Sequence, residues 1–206
     1  MEPSTAPSAR TARAARIERQ TKETAILVEV DLDGSGTVEV ATGVAFLDHM
    51  LDQLGRHARL DLTVRCDGDT QIDDHHTVED VGIALGQALA DAWGDRAGVE
   101  RFGDATVPID ECLTRTAVDL AGRPYLVWDA PVPLAVIGTF ETSLIKHFFE
   151  AVVANARLTL HVKLLEGGNT HHVFESVFKS FAVALRRAMA VTAPGTAVPS
   201  TKGVLQ

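Results

Sequence analysis

The sequence predicts an α+β fold built by tandem duplication of a β-β-α-β-α unit, with two sheets and their helices packed about a pseudo-twofold axis. Three observations carry this. ARLDLTVR at 58–65 returns as ARLTLHVK at 156–163, offset by 98 positions. A histidine stands ten residues ahead of the arginine in each copy, His49 before Arg59 and His147 before Arg157. HHxxE occurs twice; its pairs His75/His76 and His171/His172 are offset by 96, because the loop before the second is two residues shorter. A sheet with one apolar face needs helices to cover it, so each half suits a two-layer α/β unit.

The elements follow in order. Residues 1–16 are Ala, Ser, Pro and Arg without an apolar period and read as a flexible arm. Order is expected to begin near Glu23, where ETAILVEVD reads as a strand. DGSG at 33–36 is a turn signal and TVEVATG resumes a strand, which predicts a hairpin. Phe46, Leu47, Met50, Leu51 and Leu54 have helical spacing, and 58–66 alternates as a strand with one wet face. HHTVEDVGIALGQALADAW is a long helix that Asp73 or Asp74 can cap. The second half repeats this: AVDLAGRPYLVWD as strand, turn and strand, ETSLIKHFFEAVVAN as helix, ARLTLHVKL as strand and HHVFESVFKSFAVALRRAMA as helix. The expected divisions are 1–16 arm, 17–100 first repeat, 101–190 second repeat and 191–206 tail.

Composition narrows the function classes. A formal charge of -9 argues against nucleic acid or an anionic membrane as the main partner. It leaves room for an anionic small substrate held by a local cluster of Arg and Lys. The two cysteines, Cys66 and Cys112, form no CxxC spacing, so neither a thiolate zinc site nor a disulfide scaffold is expected. There is no apolar run long enough for a membrane span and no secretory h-region, which makes a cytoplasmic setting the expectation.

Six of the eight histidines occupy duplicated positions, as do Glu79 and Glu175. Residues four apart share a helix face about 6 Å apart along the axis, so His75 with Glu79, and His171 with Glu175, can each chelate one ion. Adjacent residues point roughly 100° apart, so the second histidine of each pair must reach another centre. Twofold logic predicts one site from His75, Glu79 and His172 and another from His171, Glu175 and His76. The remaining ligand leans to His147 on the first and His49 on the second, a pairing the sequence leaves open, as it does whether ligands meet within one chain or across subunits. Three imidazoles and one carboxylate suit Mn, Fe, Co, Ni or Zn rather than Mg or Ca. His57 and His161 lack counterparts and read as solvated or hydrogen-bonded residues.

FLDHMLDQLGRH, DDHHTVED, RFGD, LAGRPYL, HHVFESVFKSFAVALR and STKGVL together resemble the imidazoleglycerol-phosphate dehydratases of histidine biosynthesis, over about residues 17 to 206. The resemblance implies a lyase that dehydrates imidazole glycerol phosphate to imidazole acetol phosphate. It implies two manganese ions per active site, an imidazolate held between them, and a homo-oligomeric shell of 24 subunits with metal sites where subunits meet. The implied ligands are His49, His75, His76, Glu79, His147, His171, His172 and Glu175, the same eight the duplication singles out. Glu23 matches the general acid/base, Gln53 and His57 fall among the substrate contacts, and Arg101, Arg123, Lys179, Ser200 and Lys202 match the phosphate site. Lys179 has separate support: it continues the four-residue spacing from His171 and Glu175, whereas its counterpart in the first half is Ile83. Two rivals remain. A dimetal hydrolase usually relies on bridging carboxylates, and here histidines outnumber acids; a metal-storage assembly leaves the cationic set unexplained.

Overall fold

The structure is a computed structural model, and it describes residues 13–131, 134–192, 198–203 and 205. The first half runs β1 (Ala14–Gln20), β2 (Thr24–Asp31), β3 (Val38–Ala41), α1 (Ala45–Ala58), β4 (Asp61–Gly68) and α2 (His75–Trp93). The second runs β5 (Phe102–Ile109), β6 (Cys112–Asp119), β7 (Tyr125–Asp129), the short β8 (Val136–Ile137) and β9 (Phe140–Glu141), α3 (Leu144–Ala156), β10 (Thr159–Glu166) and α4 (Thr170–Ala188). The two four-stranded sheets have orders β1-β2-β4-β3 and β5-β6-β10-β7, which are the same order in equivalent strands. In each, one edge strand runs parallel to its neighbour, β3 to β4 and β7 to β10.

The duplicated α+β architecture is as the sequence predicts, with one more strand in each half: the unit is β-β-β-α-β-α. The additional strands, β1 and β5, are sheet edges. In β1 no residue is fully buried, and only Ala15 and Ile17 lean on the core, so the apolar pattern there is weak. The arm is correspondingly shorter than expected. Order begins before Glu23, and residues 14–16 belong to β1, held in register with β2 from Ala14↔Asp31 onwards. Arg13 donates to both carboxylate oxygens of Asp33 and to the Met189 carbonyl. Residues 1–12 of the arm lie outside the described residues.

The expected hairpin around DGSG does not form. β4 lies between β2 and β3 in the sheet. The reason is Asp61, the first residue of β4, whose Oδ1 accepts from the backbone N–H groups of Ser35, Gly36 and Thr37 at 2.8, 3.0 and 2.8 Å. One carboxylate thus satisfies the turn and pins it over the intervening strand. Gly36 takes φ +92°, a left-handed conformation that favours glycine.

Helices close in the same way in both halves. α1 and α3 each end on an arginine in the left-handed region, Arg59 at φ 58° and Arg157 at φ 53°, so the recurring ARL marks the point where helix gives way to strand in both halves. Each helix pair covers the inner face of its own sheet, and the helices of one half meet those of the other, α2 against α3 and α1 against α4. The core between the sheets holds Phe148, Phe149, Phe178 and Phe181, all fully buried, with Phe149 and Phe178 ring centroids 4.9 Å apart. α2 approaches α3 closely through Gly82 and Gly86. A Cβ on Gly82 would lie 2.9 Å from the Phe148 carbonyl oxygen, and one on Gly86 would lie 2.8 Å from that of Val152. The equivalent positions of α4, at the 96 offset, are Phe178 and Ala182.

Replacing Gly86 with Val is expected to push α3 off α2 and to destabilise the fold by about 1–3 kcal/mol, the usual penalty for overpacking. Denaturant unfolding checks this; an unchanged midpoint would show that the helices separate without cost.

Candidate metal and substrate site

Both HHxxE helices start behind a capping side chain. Asp73 Oδ1 accepts from the His75 N–H at 2.8 Å, and Asn169 Oδ1 accepts from the His171 N–H at 2.9 Å. The first helix turn is therefore fixed just where the histidines sit. Next to Glu79, Asp80 turns inward, accepts from the Thr24 hydroxyl at 2.6 Å and pairs with Arg19, tying the start of α2 to β1 and β2. Glu79 stays on the outer side with His75, their Nε2 and Oε2 atoms 3.6 Å apart. In α4, His171 Nε2 lies 3.2 Å from Glu175 Oε2.

The helix contacts between halves bring in the upstream histidines. His49 of α1 places Nε2 3.3 Å from Glu175 Oε2, and its ring centroid lies 5.3 Å from that of His171. His147 of α3 lies beside His75, ring centroids 5.2 Å apart. Phe46 packs edge-on against His171 at 5.3 Å and limits its ring orientation. His49, His171 and Glu175 hold their ligand atoms within 4.8 Å of one another. Two imidazole nitrogens and a carboxylate oxygen converging this closely fit a first-row transition metal.

The second histidine of each pair faces elsewhere. The His75 and His76 rings are 88° apart in plane, and those of His171 and His172 are 85° apart. His76 Nδ1 lies 3.1 Å from both carboxylate oxygens of Asp69, with its Nε2 3.8 Å from Glu23 Oε1. His172 Nδ1 lies 3.0 Å from Glu111 Oε2. Among the described residues of one chain, His172 does not join His75 and Glu79, nor does His76 join His171 and Glu175. The helix turns each second histidine away from its neighbour's face, towards Asp69 or Glu111.

The electrostatics follow the contacts. Burial pushes the Glu175 carboxyl up, but the Lys179 ammonium 2.5 Å from its Oε1, together with His49, more than offsets this and leaves it below the usual range. His57 is lowered by burial and then by Lys179, while its Nε2 meets Gln53 Oε1 at 3.2 Å. Hydrogen bonding to Asp69 raises His76, with Glu23 adding to the effect, and Glu111 raises His172. Glu111 is itself pulled down to about 2 by the Asn169 N–H and by His172.

The predicted phosphate residues divide into two groups. Lys179 sits with Glu175, His57 and Gln53 beside the His49–His171–Glu175 cluster. Arg101 lies at the other end of the second sheet, forked onto Asp119 at 2.8 and 3.2 Å and donating to the Pro199 carbonyl at 2.9 Å. That last bond holds the tail beside it, where Ser200 Oγ accepts from the Lys202 N–H at 3.2 Å. Arg123 is exposed on the β6–β7 turn. No hydrogen bond or ion pair among the described residues joins Lys179 to Arg101, Arg123, Ser200 or Lys202. Glu23 is half exposed at the head of β2, its N–H donating to the Thr21 hydroxyl. A cleft lined by Asp73, His75, Thr139, Glu141, Ser143 and His147 opens at the first cluster, with the β8–β9 insertion at its edge. The sequence reading missed Asp69, Glu111 and Phe46. Glu111 carried a signal, since it precedes β6 as Glu23 precedes β2, both at an offset of 88.

Known proteins resemble this chain closely. A family model for imidazoleglycerol-phosphate dehydratase matches residues 42–185. The imidazoleglycerol-phosphate dehydratase of Parafrankia sp. is 57% identical over 194 residues, covering 94% of this chain and 100% of that one. The enzyme of that name from Dinoroseobacter shibae is 59% identical over 195 residues with the same coverage. Among solved structures, imidazoleglycerol-phosphate dehydratase from Staphylococcus aureus superposes with a TM-score of 0.78 at 40% identity, covering 87% of this chain and 99% of that one. The Pyrococcus furiosus protein, solved in complex with (S)-C348, gives 0.78 at 36% identity, covering 92% and 100%. The chain therefore belongs to the imidazoleglycerol-phosphate dehydratase family of hydro-lyases.

Proposed function

We propose that the chain dehydrates imidazole glycerol phosphate to imidazole acetol phosphate in histidine biosynthesis, in the cytoplasm, with two manganese ions per active site. The observation that carries the metal reading is the His49–His171–Glu175 cluster, where ligand atoms from two halves of the chain converge. His75, Glu79 and His147 are its counterpart, and His76 and His172 are the remaining ligands.

Because those two histidines face away from the clusters of their own chain, they would complete sites on neighbouring subunits. This supports a homo-oligomer, which the family resemblance puts at 24 subunits. Metal held by these ligands would supply Lewis acidity at the substrate ring nitrogens and favour the deprotonated ring, whose electrons can expel an unactivated hydroxyl.

The chain's own groups do the rest. Glu23, beside His76, is placed to take or return the side-chain proton, a general acid/base role. Lys179 on α4 would swing from Glu175 to a phosphate oxygen. Arg101, with the tail it holds through Pro199, Arg123, Ser200 and Lys202 would supply the other phosphate contacts, where forked guanidinium donors match phosphate oxygens. Gln53 and His57 would line the substrate beside His49.

Purified protein is expected to hold about two transition-metal ions per chain. Chelation should abolish dehydration of imidazole glycerol phosphate and manganese should restore it. Release of inorganic phosphate instead of imidazole acetol phosphate would favour a dimetal hydrolase. Replacing His76 with Ala should lower metal content and activity together; full activity with normal metal content would sink the two-centre reading. Light scattering is expected to give an assembly far above one chain, and an active monomer would overturn sites shared between subunits.

A further inference from the structure

The two halves treat equivalent carboxylates differently. Glu23 stands immediately before β2 and Glu111 immediately before β6, strands that occupy the same place in their sheets. Glu111 is fully engaged: Oε1 accepts from the Asn169 N–H at 2.6 Å and Oε2 lies 3.0 Å from His172 Nδ1. Glu23 makes no such bond to its histidine; its nearest approach is 3.8 Å, and to the other ring nitrogen, Nε2.

The difference traces to one position. Asp69, the residue after β4, takes Nδ1 of His76 with both oxygens at 3.1 Å. The residue after β10 is Gly167, which has no side chain to offer His172, and the neighbouring Glu166 is exposed. Glu111 fills the vacant role. Its side chain runs across Gly168, where a Cβ would fall 2.3 Å from Glu111 Cγ, so Gly168 is what lets it through.

We infer that Asp69 and Glu111 are positioning residues that fix the Nδ1–H tautomer of His76 and His172, and that Asp69, by holding His76, leaves Glu23 free for proton transfer. A carboxylate accepting from Nδ1–H directs the Nε2 lone pair outward to a metal and makes it more basic, and losing such a partner typically weakens metal binding about 10–100-fold. Neither residue touches substrate in this account. Both act through the histidine they hold. The inference rests on the metal reading proposed above.

The test is metal affinity by chelator competition with manganese alone, on the full assembled protein, for the parent, Asp69→Leu and Glu111→Leu. Nitrogen-15 histidine spectra of the metal-stripped forms would report the tautomers. Each variant is expected to lose about 10–100-fold in affinity for one of its ions while keeping the other, and to lose the Nδ1–H signature of one histidine. Should Glu111→Leu fail to fold, Glu111→Gln keeps an oxygen for the Asn169 N–H and turns its amide towards Nδ1, forcing the wrong tautomer. A folded Glu111→Gln with weakened metal binding supports the inference, since the loop contact survives. Parental affinity in the folded variants overturns the inference alone. A parent that binds no manganese brings down the metal reading as well.

Discussion

The contact between helices of opposite halves is the constraint on which the rest depends. An HHxxE helix turn alone offers one imidazole and one carboxylate to an ion, too few to hold it firmly. Packing α1 on α4 adds His49 to His171 and Glu175, and packing α2 on α3 adds His147 beside His75. The groups converge only if the helices cross at the right distance. On the α2–α3 side that distance is set by Gly82 and Gly86, which let α2 close on the Phe148 and Val152 carbonyls. Core packing is stiff to within a methyl group, so it can position a metal ligand more firmly than a loop can.

Much of this was legible in the sequence because duplication writes the same physics twice. ARL recurs at the same joint of each half, where the first helix ends in a left-handed residue before its strand. HHxxE recurs because a capped helix start is the cheapest way to present two donors four residues apart. What stayed hidden was contact that local period does not encode. β1 is a sheet edge with little apolar content, so its first residues, 14–16, read as the end of the arm. The DGSG turn looked like a hairpin because its type is local, whereas the strand inserted beneath it is fixed by Asp61, some 25 residues on. Asp69 and Glu111 gain their part only where the fold sets them against ring nitrogens.

The places where the two halves differ are as informative as those where they agree. A pair of metals can be served symmetrically, but a substrate with one phosphate cannot. Lys179 stands where the first half has Ile83, and its ammonium offsets the burial of Glu175, whereas Glu79 has no such partner and is half exposed. The β8–β9 insertion and the tail held by Arg101 likewise occur in the second half only.

The same reasoning limits how far either half can drift. His76 and His172 each face a carboxylate through Nδ1, although the two carboxylates come from non-equivalent positions. Gly167 in place of an acid removes one partner, and Glu111 reaching across Gly168 supplies another, with the ring held at the same distance to within about 0.1 Å. Glu23 shows the complement: an acid relieved of holding a histidine is available, half exposed and beside the same ring, for a proton that must move. Divergence between the halves has thus altered which carboxylate faces which histidine while keeping an acid on Nδ1 of both His76 and His172.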